Sequence, residues 1–158
     1  MTLGNHEFDK GQQVLADFIK AASGTTTTLN GITMTGSNIP VINCNVLPDA
    51  GTPLAGLFGK SMVKDFGGTK VAIIGVTTPD TPSSSSPGPG VTFAAAQASV
   101  TAEIAAVKAA NPGINKFVIL SHLGYEEDIA LAGAISDIDI VSAATPTRRC
   151  APQAIPGR

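Results

Sequence analysis

The chain has 158 residues, 43% of them hydrophobic and only 14% charged, with a net charge of −2. That length is enough to bury the core of one domain, and the charge balance excludes both a nucleic-acid-binding basic patch and an acidic solvating tail. A small-molecule partner fits better than a nucleic acid polymer, and the low aromatic content of 4% beside many Ala, Gly, Thr and Val fits an α/β protein.

The chain opens with Met1-Thr2-Leu3 and then a polar run, Gly4-Asn5-His6-Glu7-Phe8-Asp9. Val14, Leu15, Phe18 and Ile19 recur at helical spacing and predict an amphipathic helix from about Phe8 to Ala22, stopped at Ser23-Gly24. The tract TTTTLNGITMTGSN reads as polar and turn-rich, and IPVINCNV as a short buried strand ending near Val46, followed by a loop. Apolar and polar residues alternate from Met62 to Phe66, Gly67-Gly68 turns the chain, and Val71 to Val76 is continuously apolar, so a hairpin with a buried central second strand is expected. TTPDTPSSSSPGPG is expected to be an exposed loop at the carboxyl end of that strand, because its prolines lack amide donors.

An Ala-rich helix is predicted from Thr92 to Ala110, with Phe93, Val100, Ile104 and Val107 near one face. NKFVILSHLG then reads as a buried strand, YEEDIALAGAI as a helix offering Ile129, Leu131 and Ala132 for packing, and DIDIV as a last strand. This alternation is the βαβ rhythm of a mixed, mostly parallel sheet. Cys44 and Cys150 are too few and too far apart for a disulfide scaffold. No basic-then-apolar leader is seen at the start, and no apolar run approaches the about 18 residues of a membrane span.

In open α/β sheets the ligand crevice lies beyond the carboxyl ends of the strands. Two polar loops qualify, residues 4–9 and 121–125, and they hold the only two histidines, His6 and His122. Each alone also reads as an ordinary turn, a helix-start aspartate or a surface histidine. Together they fit metal-assisted phosphoester hydrolysis, in which Asn oxygen and neutral imidazole are suitable ligands for divalent ions about 3.5–4 Å apart. A His outside the metal shell, oriented by an Asp, can protonate a leaving alkoxide. No nucleophile elbow or phosphate-cradling Gly-rich loop supports an unrelated α/β enzyme using His6 as general base.

GNHEFD, followed downstream by SHLGYEED and then DIDIV, resembles the N-terminal calcineurin-like metallophosphoesterase domain of the 5′-nucleotidase family, from Met1 to about Val141. The resemblance implies a layered α/β sandwich and hydrolysis of a nucleotide phosphoester; members of the family usually act outside the cytoplasm, in extracellular, periplasmic or surface-anchored form, while this sequence itself assigns no location. It implies Asn5 and His122 as metal ligands, His6 with Asp9 as the catalytic pair, and two divalent ions such as Zn, Mn or Mg. It assigns no role to Glu7 or Phe8. The family's Asp-x-His and Gly-Asp metal motifs have no counterpart here, so the sequence is expected to be a partial domain, 1–141, lacking the first βα units, inactive by itself, and open to self-association through an exposed sheet edge. A non-catalytic α/β binding or scaffold module with a relic site is the alternative.

The family's Gly-Gly-His-Ser-His-Thr block should follow DIDIV, where this chain has SAATPTRRCAPQAIPGR. Ser142 to Cys150 can be encoded by TCG GCG GCC ACT CCC ACA CGC CGC TGC, which regrouped from the third base reads Gly-Gly-His-Ser-His-Thr-Pro-Leu. Residues 142–158 are therefore expected to be an irregular tail, a frame-shifted translation caused by loss of one base after the Val141 codon. An intact reading frame on resequencing would remove that expectation.

Overall fold

A computed structural model describes residues 1–29, 32–34 and 38–143. After a 3-10 turn at His6–Phe8, helix α1 spans Gly11–Ala22 and buries Leu15, Ala16 and Ile19. Within the tract read as polar and turn-rich, β1, Thr27–Leu29, pairs antiparallel to β2, Ile32–Met34. Threonine-rich strands lack apolar alternation, so the pattern hid them. Across the pair, the Thr28 and Thr33 hydroxyls lie 3.3 Å apart.

The predicted strand at IPVINCNV forms a ladder only at its end. β3 spans Val46–Pro48 and pairs antiparallel with β6, Val91–Phe93. Upstream, Val41 to Asn45 are buried between Met1 and the middle of the sheet, with a single bridge at Ile42 to Gly59 and a bend at residues 44–45. Ile42 N–H donates to Met1 O, and Cys44 N–H to Gly75 O. Two buried asparagines replace the missing ladder. Asn43 Oδ1 accepts from the N–H groups of Asn45 and Val46, and the Asn45 amide bonds both the N–H and the carbonyl of Thr77. Buried backbone groups must be paired, and side-chain amides do it here.

The main sheet has four strands in the order β4-β5-β7-β8. β4, Ser61–Phe66, and β5, Thr69–Thr77, form the expected hairpin, with positive φ at Gly67 and Gly68. β7, Phe117–His122, and β8, Ile140–Ala143, run parallel to β5. The strand expected to end at Val141 thus continues through Ser142 and Ala143; the remainder of the expected tail, 144–158, lies outside the described residues. A four-residue helical turn, α2 at Thr81–Ser84, interrupts the Pro/Ser loop, where proline is tolerated in the first turn.

α3 spans Ala96–Ala110, starting later than the sequence pattern indicates because Val91 to Phe93 are taken by β6. Phe93 accordingly packs edge-on against Phe8, ring centroids 5.4 Å apart, instead of lying on the helix. Val100, Ile104 and Val107 cover Ala72, Ile74, Val76, Phe117 and Ile119 in one core. A second core joins Leu3, Phe8, Leu15, Ile19, Val46, Leu54 and Val91. α4, Tyr125–Ala134, buries Leu131 as expected, but Ile129 is 50% exposed and Asp128 is buried in its stead. No helix among the described residues is long and apolar enough to cross a membrane.

Candidate active site

The two polar loops meet. β7 alternates between its faces, so Phe117 and Ile119 enter the α3 core and Ser121 is buried against Asp128 of α4, while His122 emerges on the opposite side at the strand's end. There the His122 ring lies against Gly4: a Cβ on Gly4 would stand 2.7 Å from His122 Cε1 and Nδ1. Only glycine permits that approach. His122 Nε2 sits 3.1 Å from Asn5 Oδ1.

Leu3, fully buried in the second core, anchors the opening loop. The Glu7 carboxylate closes it by accepting from Gly4 N–H at 2.5 Å, a structural part that the sequence motif did not reveal. His6 Nδ1 meets Asp9 Oδ2 at 2.9 Å, and this pair is open to solvent, with the His6 side chain 71% exposed. Ser85 Oγ donates to Asp9 Oδ1 at 2.8 Å. The hydrogen bond from Ser85, followed by that from His6, holds the Asp9 carboxyl below its usual range. Asp9 is therefore an anion at neutral pH, suited to orient and stabilise an imidazolium.

Ser84 also reaches the site, accepting from Asn5 Nδ2 at 3.2 Å. Neither serine was singled out by the sequence. The available signal was their loop's place at the carboxyl end of a buried strand, since serine spacing in a low-complexity run carries no information about contact. Behind His122, Ser121 Oγ donates to Asp128 Oδ1 and accepts from Leu123 N–H at 3.2 Å. Burial pushes the Asp128 carboxyl up, opposed by the Ser121 hydrogen bond.

Donors bound to one ion at about 2.1 Å stand roughly 3.0–3.4 Å apart. Asn5 Oδ1 and His122 Nε2, at 3.1 Å, match that spacing and are chemically apt for a divalent ion. They make a partial set. Among the described residues no group of three or more His, Cys, Asp or Glu could hold a metal.

No protein-family model matches the chain. It is 37% identical to the NAD 5′-nucleotidase of Haemophilus influenzae, over 89% of this chain and 21% of that protein. The solved 5′-nucleotidase precursor of Thermus thermophilus superposes with a TM-score of 0.76 at 36% identity, over 96% of this chain and 28% of that one. A calcineurin-like phosphoesterase of Bacillus subtilis shares the fold with a TM-score of 0.65 at 23% identity, over 90% of this chain and 43% of that one. The chain spans only 11% to 21% of the length of the first curated relatives it matches.

Proposed function

The chain belongs to the 5′-nucleotidase family, and from that premise we propose that Asn5, His6, Asp9 and His122 are its share of a metal-dependent phosphoester hydrolase site acting on a nucleotide. The observation that carries this reading is the convergence of two loops, 117 residues apart at Asn5 and His122, in one half-buried contact. Divalent ions, with Zn, Mn and Mg as candidates, would supply Lewis acidity toward the phosphoryl oxygens and a water acidic enough to attack at neutral pH.

The chain's own residues have separable tasks. Asn5 and His122 would hold a divalent ion through Oδ1 and Nε2, which stand 3.1 Å apart. Asp9 keeps His6 Nδ1 occupied, so the ring's other nitrogen is directed outward, able to donate to a phosphoryl oxygen or to protonate the departing alkoxide. The remaining ligands would come from polypeptide outside this sequence, and the isolated chain is expected to show no substantial turnover.

A chimera tests this reading. Residues 1–141 would replace the matching segment of the Thermus thermophilus 5′-nucleotidase, and metal-dependent release of phosphate from nucleoside monophosphates would be measured. Activity is expected, lowered about 10²–10⁴-fold by His6→Ala. A folded, metal-loaded chimera with no hydrolysis would overturn the proposal. Robust metal-dependent turnover by the isolated 158-residue chain, abolished by His6→Ala, would overturn its expected inactivity.

The small donor set among the described residues favours one second reading, a non-catalytic α/β module with a relic site. Metal stoichiometry in the chimera separates the two. A competent site retains about two ions, whereas a relic holds one weakly or none.

A further inference from the structure

The loop after β5 touches the site through two adjacent serines, and each grips one arm of a forked planar side chain whose other arm faces a histidine. Asn5 gives its amide nitrogen to Ser84 Oγ at 3.2 Å and turns Oδ1 to His122 at 3.1 Å. Asp9 takes a hydrogen bond from Ser85 Oγ on Oδ1 at 2.8 Å and presents Oδ2 to His6 at 2.9 Å. In a rigid fork, pinning one arm determines where the other points.

For Asn5 the consequence is chemical as well as geometric, because a flipped amide would aim NH₂ at His122, and NH₂ cannot ligate a cation. The Ser84 hydroxyl selects against the flip. Its hydrogen is directed to Thr81 O at 3.5 Å, leaving a lone pair for the Asn5 nitrogen. The loop itself is pinned to α1 independently of both serines. Gln12 Nε2 donates to Pro89 O at 3.1 Å, beneath a Gly88 with φ of 79° whose Cβ would collide with that nitrogen at 2.7 Å. Thr81 Oγ1 and Ser83 Oγ bond back to Thr78 O and Asp80 O, each at 2.7 Å.

We propose that Ser84 and Ser85 are positioning residues of the site: Ser84 sets which end of the Asn5 amide faces His122, and Ser85 sets the plane in which Asp9 holds His6. The catalytic purpose of this arrangement rests on the function proposed above, but the arrangement itself can be read without turnover.

The test uses the isotopically labelled 158-residue chain. Side-chain amide and imidazole resonances of Asn5, His6 and His122 would be followed by NMR in Ser84→Ala, Ser85→Ala and, as a control in the same turn, Ser83→Ala. Ser84→Ala is expected to give the Asn5 amide protons new NOEs to the His122 ring while leaving the His6 ring nitrogens unmoved. Ser85→Ala is expected to shift the His6 ring nitrogens and leave the Asn5 amide unmoved. Ser84→Thr and Ser85→Thr should each restore the parent signals, and Ser83→Ala should move neither set. Unchanged spectra in both alanine variants, or the same perturbation in all three, would overturn the proposal, the latter by making the loop a mere cover. An inactive chimera would refute the hydrolase reading while leaving these spectra as they are, so the two failures are distinguishable.

Discussion

Gly4 and Gly75 show how much the site depends on side chains that are missing. An added Cβ at Gly4 would meet the His122 ring and the Glu7 carboxylate, both of them movable. Gly4→Ala is therefore expected to leave the fold standing and displace the ring from Asn5. Misplacement on the ångström scale can cost about 100-fold in rate, which kcat/KM of the chimera would report. At Gly75 the collision is with backbone: a Cβ would stand 2.2 Å from Ile42 O, where residues 41–44 cross β5. Neither chain can give way there, so Gly75→Ala should destabilise by roughly 3 kcal/mol or more, measured by urea unfolding. Asp128 adds a pH dependence. Burial raises its pKa, Glu127 adds to the rise, and Ser121 and His122 oppose it. An acid with a higher pKa when folded binds its proton more tightly in the native state. Its contribution to stability is thus most favourable at low pH and falls as pH rises from the unfolded value through the folded one. Asp128→Asn should flatten that part of the profile, seen as a smaller drop in Tm from acid to neutral pH than in the parent.

At the level of elements, α3 is the helix that seals the sheet. Val100, Ile104 and Val107 share one face and fill the core over β5 and β7. Ile104→Ala removes methyl groups at a site only 3% exposed and should cost about 2–5 kcal/mol. Ile129→Ala on α4, 50% exposed, should change stability by about 0.5 kcal/mol or less by the same denaturation assay. The contrast separates helical spacing from burial. α4 has apolar residues on more than one face, and its first turn is held down through Asp128, whose carboxylate takes the Ser121 hydroxyl.

At the scale of the whole molecule, β4 and β8 are the edges of the four-stranded sheet among the described residues, and each carries a large exposed apolar side chain, Phe66 at 63% and Ile140 at 56%. Edge strands with exposed apolar residues template pairing with a second copy. The chain is expected to self-associate with rising concentration, and Ile140→Lys to lower the sedimentation-average mass toward the monomer. A monomer at all concentrations in the parent would remove β8 as the pairing edge.

The apolar runs at Val71 to Val76 and Phe117 to Leu120, the Gly67-Gly68 turn and the Ala-rich helix determine an α/β chain with a mostly parallel sheet, because burial period and turn chemistry are local properties. The motif GNHEFD and the second histidine likewise mark Asn5, His6, Asp9 and His122 by residue type. Distant pairing is not a local property. β6 exists because β3 lies beside it, the asparagines at 43 and 45 stand in for a ladder only where Thr77 and Ala94 come within reach, and Asp128 is buried because Ser121 faces it. Serines in a low-complexity run are interchangeable in sequence. Only the tertiary structure brings Ser84 to Asn5 and Ser85 to Asp9, since a hydrogen bond depends on where two atoms meet in space and not on how far apart they lie along the chain.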